Sequence, residues 1–246
     1  MYKIINVTKE NYNMEKIYLY DDNIGSVEYV QHMGDDLTIV NAARVSFGKQ
    51  KTEIDKRDKK LIKYLISNRH TSTLEHNIVT FRFCVPLYVR SQHHRHRTWS
   101  YNEVSRRYTD ENLKFYEPDT FRTQHKSDRQ ASNDIEQIDP MLGKINKTLI
   151  PSSNLTASVA MQQHHNRGLV LYQDMLKAGV CREQARGVLP QNLYTEYYGT
   201  VNLNNLVKFL DLRIDEHAQW EIRRVAEACR DIAKELWPEA MKHFKK

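Results

Sequence analysis

The sequence predicts one α+β domain, a mainly antiparallel sheet wrapped by long helices, and two patterns carry that prediction. In residues 79–85, Val79, Phe81, Phe83 and Val85 alternate with Thr80, Arg82 and Cys84, the period of a half-buried strand. In residues 222–236, Ile222, Val225, Ala226, Cys229, Ala233 and Leu236 recur at helical spacing and form an apolar stripe. A chain of 246 residues is long enough to bury a sizeable core. The prediction is a single domain over 1–246, with 1–26 as an N-terminal extension.

Taken in order, residues 26–33 read as a strand. Asp35 and Asp36 are expected to cap a helix through Ala42, Ala43 and Arg44. Residues 49–63 read as a loop entering a solvated helix whose stripe is Leu61, Ile62, Leu65 and Ile66. Pro86 ends the alternating strand. Residues 87–97 are expected to form a helix that delivers arginines at its C-terminal end, and 100–108 to run as a loop or extended strand. Residues 117–156 are rich in Asp, Asn, Ser, Gln and Lys, with Pro118, Pro140 and Pro151 as breakers. They read as a long surface loop with some short helix. A helix over 155–178 is ended by Gly179. A short helix over 181–188 holds Arg182 and Arg186. A Tyr- and Thr-rich strand spans 193–201, and a helix over 202–213 buries Leu206, Phe209 and Leu210. In the last helix Glu221, Arg223, Arg224, Glu227 and Arg230 are expected on the wet face.

The net charge of +6 favours anionic partners, small ligands and nucleic acid alike. Cys84, Cys181 and Cys229 are odd in number and widely spaced. They give neither a disulfide framework nor a CxxC site, so a reducing cytoplasm is the expected location. No apolar signal core stands near Met1 and no run reaches transmembrane length, so no membrane partner is expected. Neither GxxxxGK[ST] nor GxGxxG occurs, which excludes a P-loop and a Rossmann fingerprint.

Chemistry concentrates in residues 90–108, which hold five arginines, three histidines and one carboxylate, Glu103. So many donors joined to a buried strand call for anions, and arginine offers a planar fork to a phosphate or a ring edge. The competing readings are a plain solvated surface, a nucleic-acid patch stacking on Trp99, Tyr101 and Tyr108, and a metal site at His93, His94 and His96. The last lacks the i, i+4 spacing of helical ligand pairs, so no metal is expected.

Arg95-His96-Arg97, followed after seven residues by Ser105, resembles the signature of the flavin-dependent thymidylate synthases. Further blocks resemble the same family in the same order: Asn41-Ala42-Ala43-Arg44-Val45-Ser46, the turn His70-Thr71-Ser72-Thr73-Leu74-Glu75-His76, Val188-Leu189-Pro190 with Asn192-Leu193-Tyr194-Thr195, and Leu212-Arg213 with His217-Ala218-Gln219-Trp220-Glu221. The resemblance implies methylation of dUMP to dTMP, with FAD as cofactor, and methylenetetrahydrofolate and NADPH as co-substrates. It also implies a homotetramer with active sites shared between subunits, and no nucleic-acid partner. Carried over by position, Gln92, His93, His94, Arg95, Glu103, Val104, Ser105, Arg106, Arg107, Arg186 and Arg213 are expected around dUMP, with Arg213 as the catalytic arginine that polarises the uracil ring. Ser72, Arg95, His96, Arg97, Glu103, Asn202, Asn204 and Lys208 are expected at the flavin, and His70 and Tyr108 on the folate side. Asn204 stands where many members carry arginine and Lys208 where many carry asparagine. Ser105 is expected to bind, because a serine nucleophile needs an adjacent base.

Overall fold

The computed structural model describes residues 16–127, 132–142 and 155–244. The N-terminal extension and the polar stretch after residue 117 therefore lie partly outside the described residues. The short strand β1 (Ile17–Tyr18) leads into β2 (Ser26–Met33), α1 (Asp36–Arg44) and α2 (Lys56–Ser67). The alternating strand is β3 (Ile78–Pro86), and it runs directly into α3 (Leu87–His93) and then β4 (Ser100–Glu103). A ribbon of β5 (Phe121–Gln124) and β6 (Ser132–Ile138) precedes α4 (Ala157–Lys177) and α5 (Arg182–Ala185). Strand β7 (Tyr194–Asn202), α6 (Leu203–Arg213), α7 (Trp220–Leu236) and α8 (Pro238–Met241) complete the chain.

Five strands form one sheet in the order β1-β2-β3-β7-β4, every neighbour antiparallel. The expected antiparallel α+β domain is thus present. Period two decides its faces. Val79, Phe81, Phe83 and Val85 are fully buried together with Tyr197 and Val201, whereas Arg82, Glu196 and Tyr198 face outward and are exposed. Helix α7 lies against β2, α3, α6 and α8, and every residue of its predicted stripe is buried. Gly199 permits a close approach on the buried face: a Cβ there would sit 2.8 Å from Phe83 and 3.2 Å from Trp99.

A second, smaller core joins Tyr172 of α4 to Ala185, Leu189 and Leu193, and it braces the segment that carries Arg186. Buried carboxylates pin the ends of elements. Asp58 is wholly buried and pairs with Arg44 and Lys51, each at 2.5 Å. Asp36 accepts from the backbone N–H groups of Glu239 (2.8 Å) and Ala240 (2.9 Å), so it ties the start of α1 to α8.

Three expectations are corrected. The helix over 87–97 stops at His93. The Tyr101 hydroxyl donates to the carbonyls of His93 (2.9 Å) and His96 (3.2 Å), which takes up carbonyls near the helix end and bends the chain into β4. The described parts of 117–156 contain an antiparallel ribbon, β5 against β6, where short helix was expected. Its strands are short and polar, and pairing, which periodicity does not report, is what forms them. Glu221 is not on a wet face: it is 5 % exposed, and Arg122 of the ribbon supplies its counter-charge at 2.8 Å.

Truncating Asp36 leaves one buried and one part-buried N–H donor unpaired, a loss of about 1–3 kcal/mol. Asp36→Ala should lower unfolding stability by that amount in urea titrations, and Asp36→Asn should restore part of it through its one remaining acceptor oxygen.

Candidate functional site

The predicted site residues fall in three neighbouring places. The first is a cleft of about 550 Å³ between α3, β4 and the end of α5, whose walls include Arg90, Glu103, Val104, Ser105, Arg106 and Arg186. Glu103 accepts from the Thr195 hydroxyl at 2.7 Å and lies 3.2 Å from Arg90 Nε. Its carboxylate is therefore engaged by Thr195 and Arg90, and among the described residues it makes no hydrogen bond to Ser105. Ser105 Oγ instead accepts from the N–H of Arg107 at 3.3 Å. Arg106 donates to the carbonyls of Glu111 (2.7 Å) and Tyr194 (3.5 Å), and burial lowers its pKa. Arg107 pairs with Glu183 at 3.2 Å. Arg186 is exposed on the rim, and no ion pair to it is found among the described residues.

The second place is the turn after α3. Arg95 and Arg97 point their exposed side chains outward, without an ion-pair partner among the described residues. Between them His96 turns inward. Its Nε2 accepts from Arg213 Nε at 3.1 Å, and its ring meets Phe209 edge-on at 4.9 Å. Burial, and secondarily the Arg213 charge, push the His96 pKa down to about 4, so the ring is neutral and can accept. Arg213 also donates to the Gln92 carbonyl at 3.4 Å. The end of α6 and the end of α3 are thereby clasped together.

His93 is not brought to the cleft. Its side chain is wholly buried, Nδ1 is 2.8 Å from the Tyr197 hydroxyl, and Phe83, Trp99 and Phe209 rings surround it within 4.8 Å. This corrects its assignment as a nucleotide contact: an imidazole flanked by an apolar strand is core here. The His94 ring lies tilted against Tyr101, centroids 4.1 Å apart. Trp99 is also core, 5 % exposed, which leaves Tyr108, 80 % exposed, as the free ring of the three proposed stacking groups. Among the described residues no group of three or more His, Cys, Asp or Glu is placed to hold a metal ion. No helix of the described residues is long and apolar enough to cross a membrane.

The third place is the tight turn Thr71–Leu74, beside a pocket of about 460 Å³ lined by Ser46, Arg69, His70 and Ser72. His70 and Ser72 are exposed. The α6 residues expected at the flavin serve the fold first. Asn202 caps α6 by accepting from Asn205 N at 2.9 Å. Asn204 is buried and donates to Glu75 at 2.9 Å, fastening α6 to this turn. Lys208 reaches Asn205 at 3.3 Å and is otherwise open to solvent. Two residues that the motif reading left out belong to these walls, Arg90 and Arg69. Arg90 lies in the arginine-rich stretch itself, whereas Arg69 has a left-handed backbone (φ 57°) that no sequence signal announces.

The neutrality of His96 makes stability pH-dependent. In the unfolded chain an imidazole takes a proton below about pH 6.5, whereas the folded protein resists until about pH 4. The unfolded state binds more protons in that window, so stability falls as pH drops through it. Buried His93, whose pKa burial also lowers, acts in the same direction. Denaturation midpoints measured from about pH 7 down to about pH 4.5 should decline, and His96→Gln should flatten part of the decline.

The sequence profile of the family described as "Thymidylate synthase complementing protein" matches residues 28–239. A flavin-dependent thymidylate synthase of Thermus thermophilus is 42 % identical over 220 residues, which is 89 % of this chain and 75 % of that protein. The flavin-dependent thymidylate synthase of Thermosipho africanus is 40 % identical over 222 residues, 90 % and 91 % of the two chains. In three dimensions the chain is similar to the UMP/dUMP methylase PolB of Streptomyces cacaoi bound with 5-Br dUMP. The TM-score is 0.74 and the identity 31 %, covering 93 % of this chain and 97 % of that one. The ordered blocks, the fold and the arginine-rich turn converge on these proteins, and the chain belongs to the thymidylate synthase complementing protein family, the flavin-dependent thymidylate synthases.

Proposed function

We propose that this enzyme methylates dUMP to dTMP with FAD as cofactor, methylenetetrahydrofolate as carbon donor and NADPH as reductant, in a homotetramer whose subunits share active sites. The observation that carries the reading is that Arg95, Arg97 and Arg186 are exposed and have no carboxylate partner among the described residues. Solvated surface arginines can be unpaired anywhere; these three gather around a cleft and a turn that also hold Ser105, Glu103 and Arg213.

The residues present fit both ligands. Ser105 and Arg186 offer donors to a nucleotide phosphate, and the polar cleft walls can take the sugar, Glu103 accepting from a hydroxyl. Arg95, Arg97, Ser72 and Lys208 can hold the diphosphate of a dinucleotide cofactor in the absence of a glycine-rich loop. Bound FAD supplies the electrons that convert the transferred one-carbon unit into a methyl group. His70 and Tyr108 are the exposed groups assigned to the folate. The three places open separately on one chain, and their joining across subunits is the role assigned to the tetramer.

The chain's own residues then bind, orient and stabilise charge. Arg213 is half-buried at the end of a helix whose apolar face is fully packed, and its guanidinium is aimed by His96 and the Gln92 carbonyl. Such a fixed donor stabilises negative charge as it develops on the uracil ring. A thiolate mechanism finds little support. Burial pushes Cys84 up to about 12 and raises Cys229 too, so both are thiols at neutral pH. Cys181 is exposed at the start of α5.

Two measurements test the reading. Purified protein should be yellow, should form dTMP from dUMP with methylenetetrahydrofolate and NADPH, and should release flavin when diluted below its assembly concentration. A colourless protein that never takes up FAD overturns the proposal. Arg213→Ala should lose on the order of a hundredfold to a thousandfold in single-turnover dTMP formation while retaining FAD, and Arg213→Lys should recover little, since an ammonium lacks the planar fork.

A further inference from the structure

A chain of hydrogen bonds behind the site runs from the β5–β6 ribbon to Gln92. Arg122 of β5 holds one oxygen of Glu221 at 2.8 Å. The other oxygen accepts from Gln219 Nε2 at 2.8 Å. The carbonyl oxygen of Gln219 in turn accepts from Gln92 Nε2. Glu221 is 5 % exposed, and Arg122 also lies over the Trp220 ring at 5.2 Å, so this base is rigid and poorly hydrated.

A carboxylate paired with a guanidinium only accepts. Gln219 must therefore turn its NH₂ to Glu221 and its oxygen to Gln92. Gln92 must then turn its NH₂ inward, which leaves its own oxygen outward. That oxygen has no partner among the described residues and is not among the buried unpaired atoms, so it is open to solvent. It belongs to the residue whose backbone carbonyl receives Arg213.

We propose that Gln219 and Glu221 are positioning residues that set the polarity of the Gln92 carboxamide, so that it offers an acceptor, never a donor, to the nucleotide. The inference rests on the dUMP reading above. An acceptor selects for a ligand donor and leaves a buried group unpaired when the donor is missing. The donors on dUMP of this class are the ring N3–H and the 3′-hydroxyl. dCMP lacks the first, since its N3 is an acceptor, and 2′,3′-dideoxyuridine monophosphate lacks the second.

The test is calorimetric binding of dUMP and these two analogues to FAD-loaded wild type, Gln219→Met and Glu221→Gln, with flavin content and thermal melting recorded for each. Wild type should bind at least one analogue about tenfold or more weakly than dUMP. In Gln219→Met, which breaks the relay and leaves the Arg122–Glu221 pair in place, that penalty should shrink to within about threefold. Glu221→Gln, which allows the Gln219 amide to turn over, should shrink it too, and either variant suffices if the other fails to fold. A purely structural role would lower melting temperature and leave the analogue penalty as in wild type, and that result overturns the proposal. Wild type that binds dUMP but shows no penalty for either analogue also overturns it. Failure of wild type to bind dUMP at all overturns the functional reading beneath it.

Discussion

The burial of His93 is the contact on which the rest of the site depends. A polar ring is taken fully out of water, which is tolerable because Nδ1 meets the Tyr197 hydroxyl and because the ring stays neutral as burial lowers its pKa. That one side chain docks the end of α3 on the sheet between Phe83, Trp99 and Phe209. With the helix end held, the next four residues have nowhere to continue as helix. The Tyr101 hydroxyl takes up nearby carbonyls, and the turn throws Arg95 and Arg97 outward while His96 folds back. Gly199 is part of the same arrangement, because a side chain there would collide with Phe83 and Trp99.

The arginines fall into two classes. Some are consumed by the fold: Arg44 on Asp58, Arg106 on two carbonyls, Arg122 on Glu221. Others, Arg95, Arg97 and Arg186, face solvent. Arg213 stands between the two classes. It is held by neutral acceptors, a histidine nitrogen and a carbonyl, so its position is fixed while its positive charge is left uncancelled. An arginine held by a carboxylate would have lost that charge to its partner.

Much of the fold follows from local pattern. Strand β2, the alternating strand β3, the Asp35 cap of α1, the glycine that closes α4 and the stripe of α7 are legible because period, capping and turn chemistry act over a few residues. The resemblance of the ordered blocks likewise located the arginine turn, Ser105 and Arg213, which the structure gathers around the cleft and the α3–α6 clasp. What it did not convey is the division of labour within those blocks. Nothing in the run His93-His94-Arg95-His96 says that the first ring is core, the third side chain solvent-facing and the fourth a clasp.

By itself the sequence determined the element order from β2 onward except for the β5–β6 ribbon, the buried face of the sheet and the family, since each is written in periodicity or in the order of short motifs. Tertiary structure alone decided where α3 ends, why Glu221 leaves the wet face, and which arginines stay uncancelled. In each case the deciding partner sits on another element: Tyr101 of β4, eight residues beyond His93, for the α3 terminus, Arg122 for Glu221 at a separation of 99 residues, His96 for Arg213 at 117. Local patterns report what a residue prefers against solvent and its near neighbours. They do not report a hydrogen-bond partner on another element, and for buried polar groups that partner sets the energy.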